Sequence, residues 1–121
     1  MKPFLLVALG GGAGAVCRYA LTLLPISGRF PFATLIANAL GALSIGFLAG
    51  CAIQLDSFPA NLNLLLKTGF CGGFTTFSTF MNENMTMLQS GAFFSASLYA
   101  VLSLVLGLAF LYLGSLASRL F

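Results

Sequence analysis

Long apolar stretches separated by short polar punctuation run through this chain from one end to the other. Four of them, residues 4–24, 32–53, 60–89 and 91–117, are each long enough to cross a bilayer, which takes roughly 20 mainly apolar residues. The gaps carry turn chemistry. Pro25, Gly28 and Pro31 punctuate the first, Asp56, Ser57, Pro59 and Asn61 the second, and Ser90-Gly91 the third. The pattern predicts one domain, an all-α integral membrane protein of four transmembrane helices. The opening MKPFLLVALGGGAGAVC has the layout of a secretory leader, but its apolar run continues past Arg18 to Leu24 and more spans come after it, so it reads as the first span.

Composition sharpens the class. The chain is 60% hydrophobic and 6% charged over 121 residues, against about 25% charged in a soluble domain. The mean hydropathy is +1.06, which excludes a soluble packed domain. Histidine is absent and the three cysteines, Cys17, Cys51 and Cys71, fall inside predicted spans, so they read as small packing residues and not as a zinc site or a disulfide framework. No GxxxxGK[ST] phosphate loop and no nucleophile–base pair is visible, so the chain does not read as an enzyme. Its five basic residues are scattered, which argues against nucleic acid as a partner.

Within the spans Gly10/Gly14, Gly46/Gly50 and Gly69/Gly73 form small-xxx-small pairs. In lipid, helices associate by close backbone approach, so these pairs mark helix–helix faces. Charge placement gives little orientational preference. Lys2, Lys67 and Arg119 fall toward one side of a four-span layout and Arg18 and Arg29 toward the other, three against two of the five basic residues. Orientation is normally set by a clear Lys/Arg excess on the cytoplasmic side. A chain without that excess is expected to insert both ways and to pair as a dual-topology antiparallel homodimer.

Polar groups inside spans are costly, and so paired or functional. The only acids are Asp56, in a connection, and Glu83, late in the third span. A small four-helix secondary transporter coupled to protons or ions is the competing class. Exporters of that kind need a carboxylate in the first span, where this chain has Arg18, and it has no tryptophan to stack on aromatic cations. Arg18 itself reads two ways, as an anchor snorkelling to the interface or as a buried cation keeping an ion path positive. Asn38, mid-way along the second span, is either an interhelical hydrogen-bonding group or an amide donor offered to an anion.

The third span carries the most chemistry, in GFCGGFTTFSTF from Gly69 to Phe80. Gly69, Gly72 and Gly73 weaken the helix just before Thr75 and Thr76, predicting a mid-membrane break near 72–75. Non-helical backbone at that depth survives only when buried in protein or lining a wet cavity, and its freed carbonyls can hold a hard cation such as sodium. Beyond the break Thr75, Thr79, Asn82 and Thr86 recur at helical spacing as one polar stripe, with Phe77 and Phe80 on another face. Neutral hydroxyl and amide donors, and phenyl rims with positive potential, can solvate a small anion loosely enough to release it. The residues therefore point to a channel for a small anion, accompanied by a structural cation, without choosing fluoride over chloride.

GFCGGFTTFSTF closely resembles the signature of the Fluc (CrcB) fluoride channels, a pattern near GFxGGxTTFSTF. The family's early GAxxRY is matched by Gly14-Ala15-Val16-Cys17-Arg18-Tyr19, and its second-span pattern by TLIANALG from Thr34 to Gly41. The resemblance implies that Phe77 and Phe80 line a fluoride pathway with their edges and that Asn38 donates its amide near the vestibule. It implies hydroxyls along the path from Ser78 and Thr79, continued by Tyr99 and Ser103. Backbone carbonyls of Gly72 and Thr75, contributed by both subunits, would hold a central sodium ion that is not transported. Arg18 matches the family's first-span arginine, in a structural or electrostatic role. Gly107 stands one turn past Ser103, where members often carry another hydroxyl. The implied protein is a passive fluoride exporter of the bacterial inner membrane, multi-pass, whose partners are the bilayer, fluoride and a second, inverted copy. Fluoride that enters as neutral HF dissociates inside and is trapped, and a channel lets the ion leave without ATP or a coupling acid.

Overall fold

The computed structural model describes residues 1–26 and 28–121, and among these every regular element is helical. Helix α1 spans Lys2–Thr22, α2 Phe32–Gln54 and α6 Phe93–Ser118, and these three are long and apolar enough to cross a membrane. The third span is assembled from pieces. A short α3 (Ala60–Asn63) leads into a π-helix, Leu64–Cys71, then α4 (Gly72–Phe74) and, after an interruption, α5 (Ser78–Gln89). An eight-residue π-helix is a rare element, since such geometry mostly occurs as single-turn bulges, often near functional sites. The turns are set by Gly28 at φ 134° and Gly91 at φ 83°, a left-handed region that favours a residue without Cβ.

Two glycine seams build the bundle. The most extensive pairing joins α2 to α6. There a Cβ on Gly46 would strike the Leu111 carbonyl, and one on Gly114 the Leu43 carbonyl. The other seam joins α1 to the π-helix and α4. A Cβ on Gly10 would strike the Leu65 carbonyl, on Gly14 the Phe70 carbonyl and on Gly73 the Gly11 carbonyl. Backbones this close gain dispersion contacts that lipid tails cannot offer, which is how helices associate in a membrane. The side-chain core is small. Leu35, Phe80, Met87, Ala96 and Tyr99 pack together where α2, α5 and α6 meet, with Phe30 against them. Large apolar side chains on α1 and α6, among them Leu5, Val16, Val105 and Leu108, face outward, as a lipid-facing surface requires.

The break lies at Thr75, Thr76 and Phe77, just beyond the three glycines, and meets the expected 72–75 only at Thr75. Gly72, Gly73 and Phe74 remain helical. The reason is visible in the seam: Gly69 and Gly73 serve close packing against α1, and neither interrupts the helix. Thr75 leaves the helical region at φ −87°, ψ 157°. The polar stripe is shortened in consequence, because Thr75 lies within the break and is out of helical register with Thr79, Asn82 and Thr86.

Candidate functional site

The break frees backbone groups that a helix would have paired, and side chains from two other helices claim some of them. Asn38 of α2 does so twice. Its Nδ2 donates to the Thr76 carbonyl at 3.1 Å, and its Oδ1 accepts from the Thr76 N–H at 2.8 Å. Arg18 of α1 donates from Nε to the Gly73 carbonyl at 3.2 Å. Its guanidinium thus turns toward the break and not outward to the interface. Thr76 also closes the start of α5, its Oγ1 accepting from the Thr79 N–H at 3.3 Å. Thr75 folds back on its own turn, where N–H and Oγ1 both donate to the Cys71 carbonyl, at 2.9 and 2.8 Å. Among the described residues, no side chain and no backbone donor outside the helix ladders reaches the carbonyls of Gly72 or Thr75.

A groove of about 340 Å³ opens beside the break, lined by Asn38, Ala42, Ile45, Thr75, Thr76, Phe77, Phe80, Ser103, Leu104 and Leu111. No charged side chain is among them. Ser103 Oγ is buried and has no partner among the described residues, so it is an unspent hydroxyl on the groove wall. Asn38 has one N–H left after its bond to Thr76, since a carboxamide carries two donors.

The two rings differ sharply. Phe80 is 9% exposed and packs on Tyr99, while Phe77 is 73% exposed. Their centroids lie 6.0 Å apart at 45°, so they form a tilted pair at the groove mouth. The break accounts for this. Phe77 sits at the N-cap of α5 and projects away from the bundle, while Phe80, in the helix proper, faces α6.

The structure therefore brings Asn38, Thr75, Phe77, Phe80 and Ser103 to one groove. Ser78, exposed, and Thr79, half-buried, come directly after the break but are not on the groove wall. Tyr99, 0% exposed, stands behind Phe80 and donates its hydroxyl to Glu83 Oε1 at 3.2 Å. Gly72 is exposed with open space above it. Gly107 meets nothing on its open side. Thr76 had no assigned role in the sequence, yet it is the hub of the break. Its position as the second threonine of Thr75-Thr76, soon after Gly72-Gly73, was the available sign.

Fold and groove define a small multi-pass membrane protein with an interrupted span and an uncharged, hydroxyl- and ring-lined recess at its centre. The sequence profile of the family described as "CrcB-like protein, Camphor Resistance (CrcB)" matches residues 5–115, and the chain belongs to that family. It is 48% identical to the "Fluoride-specific ion channel FluC" of Prosthecochloris aestuarii over 117 residues, covering 95% of this chain and 91% of that one. The protein of the same name from Chlorobaculum tepidum is 48% identical over 122 residues, with 99% and 97% covered. That of Flavobacterium psychrophilum is 41% identical over 122 residues, with 98% of each chain covered.

Proposed function

We propose that this chain is a fluoride-selective channel of the bacterial inner membrane, letting cytoplasmic fluoride leave passively down its electrochemical gradient. The carrying observation is the convergence, at a stapled helix break, of an uncharged groove with two phenyl rings, a spare amide N–H and an unpartnered hydroxyl. The relatives' shared name supplies the ion. A bare halide entering such a groove exchanges water for the Asn38 N–H, the Ser103 hydroxyl and the positive rims of Phe77 and Phe80. Each is a neutral donor, strong enough to replace hydration and weak enough to release the ion. Ser78 and Thr79, directly after the break, would offer hydroxyls just outside this groove, while Tyr99, its hydroxyl given to Glu83, would support the route by backing Phe80.

The working unit in this reading is two copies in inverted orientation. The exposed Phe77 and the open face over Gly72 are the surfaces a second copy would cover. The carbonyls of Gly72 and Thr75 are hard neutral oxygens, a donor set that fits sodium, and they would hold the ion together with their counterparts in the second copy. Bound there, sodium supplies structural cross-linking of two broken helices and no transport.

The test is fluoride-electrode efflux from liposomes containing this protein alone, with chloride as comparison. Fluoride efflux that needs no proton gradient, with chloride retained, is the expected result. Absence of flux, or flux that requires a proton gradient and is lost in Glu83→Gln, overturns the channel reading.

A further inference from the structure

Among the described residues, Arg18 is the one ionisable group that hydrogen-bonds to the backbone of the break, and conduction through the groove makes no use of it. A guanidinium in a membrane span is expensive, so its position calls for a reason. It lies one turn before the end of α1, within reach of the interface, yet its Nε meets the Gly73 carbonyl across 55 positions of sequence. The geometry of α1 allows this. Helical side chains lean toward the N-terminus, so Arg18 covers the turn beneath its own Cα, and Gly14, one turn down, is already pressed against Phe70 and Phe74. α1 therefore delivers the guanidinium to the last helical turn before the break.

We infer that Arg18 is a positioning residue that fixes the upstream lip of the break, as Asn38 fixes the downstream lip. Each side chain claims one freed carbonyl. Arg18 takes Gly73 and Asn38 takes Thr76, while Gly72 and Thr75 are left unclaimed. Holding the Gly73 carbonyl fixes the tilt of the peptide planes on either side of it, and thereby where the Gly72 and Thr75 carbonyls point. A cation is suited to this task, because the end of a helix presents partial negative charge and a charge-assisted hydrogen bond is roughly twice as strong as a neutral one. The role rests on the channel reading for its consequence in flux, but the hydrogen bond itself does not.

Two substitutions separate hydrogen bonding from charge. Glutamine places its Nε2 at the same number of bonds from the backbone as the arginine Nε, keeping a donor without the charge. Methionine keeps the length and has no donor. Fluoride efflux from liposomes and amide hydrogen exchange across residues 74–78 in detergent are measured on both. In Arg18→Met, exchange at these amides rises and efflux falls about ten-fold, the loss expected for one charge-assisted hydrogen bond. Arg18→Gln stays within about three-fold of the unaltered protein in both readouts, the smaller loss expected when a neutral donor replaces a charged one. Exchange in Arg18→Met equal to that of the unaltered protein overturns the role, and so does an Arg18→Gln as impaired as Arg18→Met. If the unaltered protein passes no fluoride, the channel reading fails, while the exchange comparison still decides the positioning role. Should Arg18→Met not fold, Arg18→Asn, polar but one bond too short, replaces it with the same expected rise in exchange.

Discussion

The seam between α2 and α6 and the seam between α1 and the third span are built with the same device and reach different ends. Each presses glycines on one helix against carbonyls of the other, Gly46 on Leu111 and Gly114 on Leu43 in the first, Gly10 on Leu65 and Gly14 on Phe70 in the second. Along α2 and α6 both helices run on uninterrupted for 23 and 26 residues. Along α1 the partner is π-helical and then broken. Close packing alone therefore does not interrupt a helix. The interruption belongs to the residues just past the seam, where Thr75 satisfies itself locally and polar side chains from α1 and α2 take over the freed backbone of Gly73 and Thr76.

That contrast can be broken most severely at the seams themselves. Gly14→Val and Gly46→Val should each cost about 3 kcal/mol or prevent folding, because the new side chain meets a backbone carbonyl that cannot move aside. Folded yield and thermal unfolding in detergent should fall alike for both; a tolerated Gly14→Val would show that the α1 seam is loose and that the contrast lies in packing after all.

Next comes the staple. Asn38→Ala leaves the Thr76 N–H and carbonyl without partners and should cost about 2–4 kcal/mol, read by unfolding in detergent. Asn38→Asp keeps the acceptor for the Thr76 N–H but turns a second carboxylate oxygen toward the Thr76 carbonyl, so unfolding should shift as in Asn38→Ala. Fluoride efflux through the folded protein should stop, since a carboxylate at the groove repels the ion. Unimpeded efflux in that variant removes Asn38 from the path.

The rings sharpen the comparison further. Phe80→Ile disturbs the contact with Tyr99 and should cost about 1 kcal/mol, whereas Phe77→Ile should leave unfolding of the single chain nearly unchanged. Both should cut efflux with the protein still folded. Undiminished efflux in both would remove the ring edges from the mechanism. Smallest of all, Gly107→Ala meets open space on its helix, so neither unfolding nor flux should move beyond about 0.5 kcal/mol or its equivalent.

Much of this architecture can be read from residue pattern. Residues 4–24, 32–53 and 91–117 come out as Lys2–Thr22, Phe32–Gln54 and Phe93–Ser118, because apolar runs bounded by Pro, Gly and Asp leave little choice. The interruption was legible as an event, but it begins at Thr75, where the expected stretch ended. Glycine has two uses in a membrane helix, close approach and weakening, and composition does not say which one Gly69 and Gly73 serve. The π-helix had no sign at all, since its register depends on where α1 presses. Asn38 and Arg18 stood out as polar groups in lipid, but their partners lie 38 and 55 positions away, a distance that only the assembled bundle closes. The division of the rings into one sheltered and one projecting was equally hidden, because it depends on Phe77 falling outside the helix that contains Phe80.

The carboxamide of Asn38 has the same donor and acceptor as a peptide unit, and α2 lends it to a chain that has lost one of its own. The third span is spliced through a foreign link, so its gap inherits the stiffness of an intact neighbouring rod. Whatever tilts that rod, including a bilayer thinner or thicker than its apolar length, acts directly on the splice.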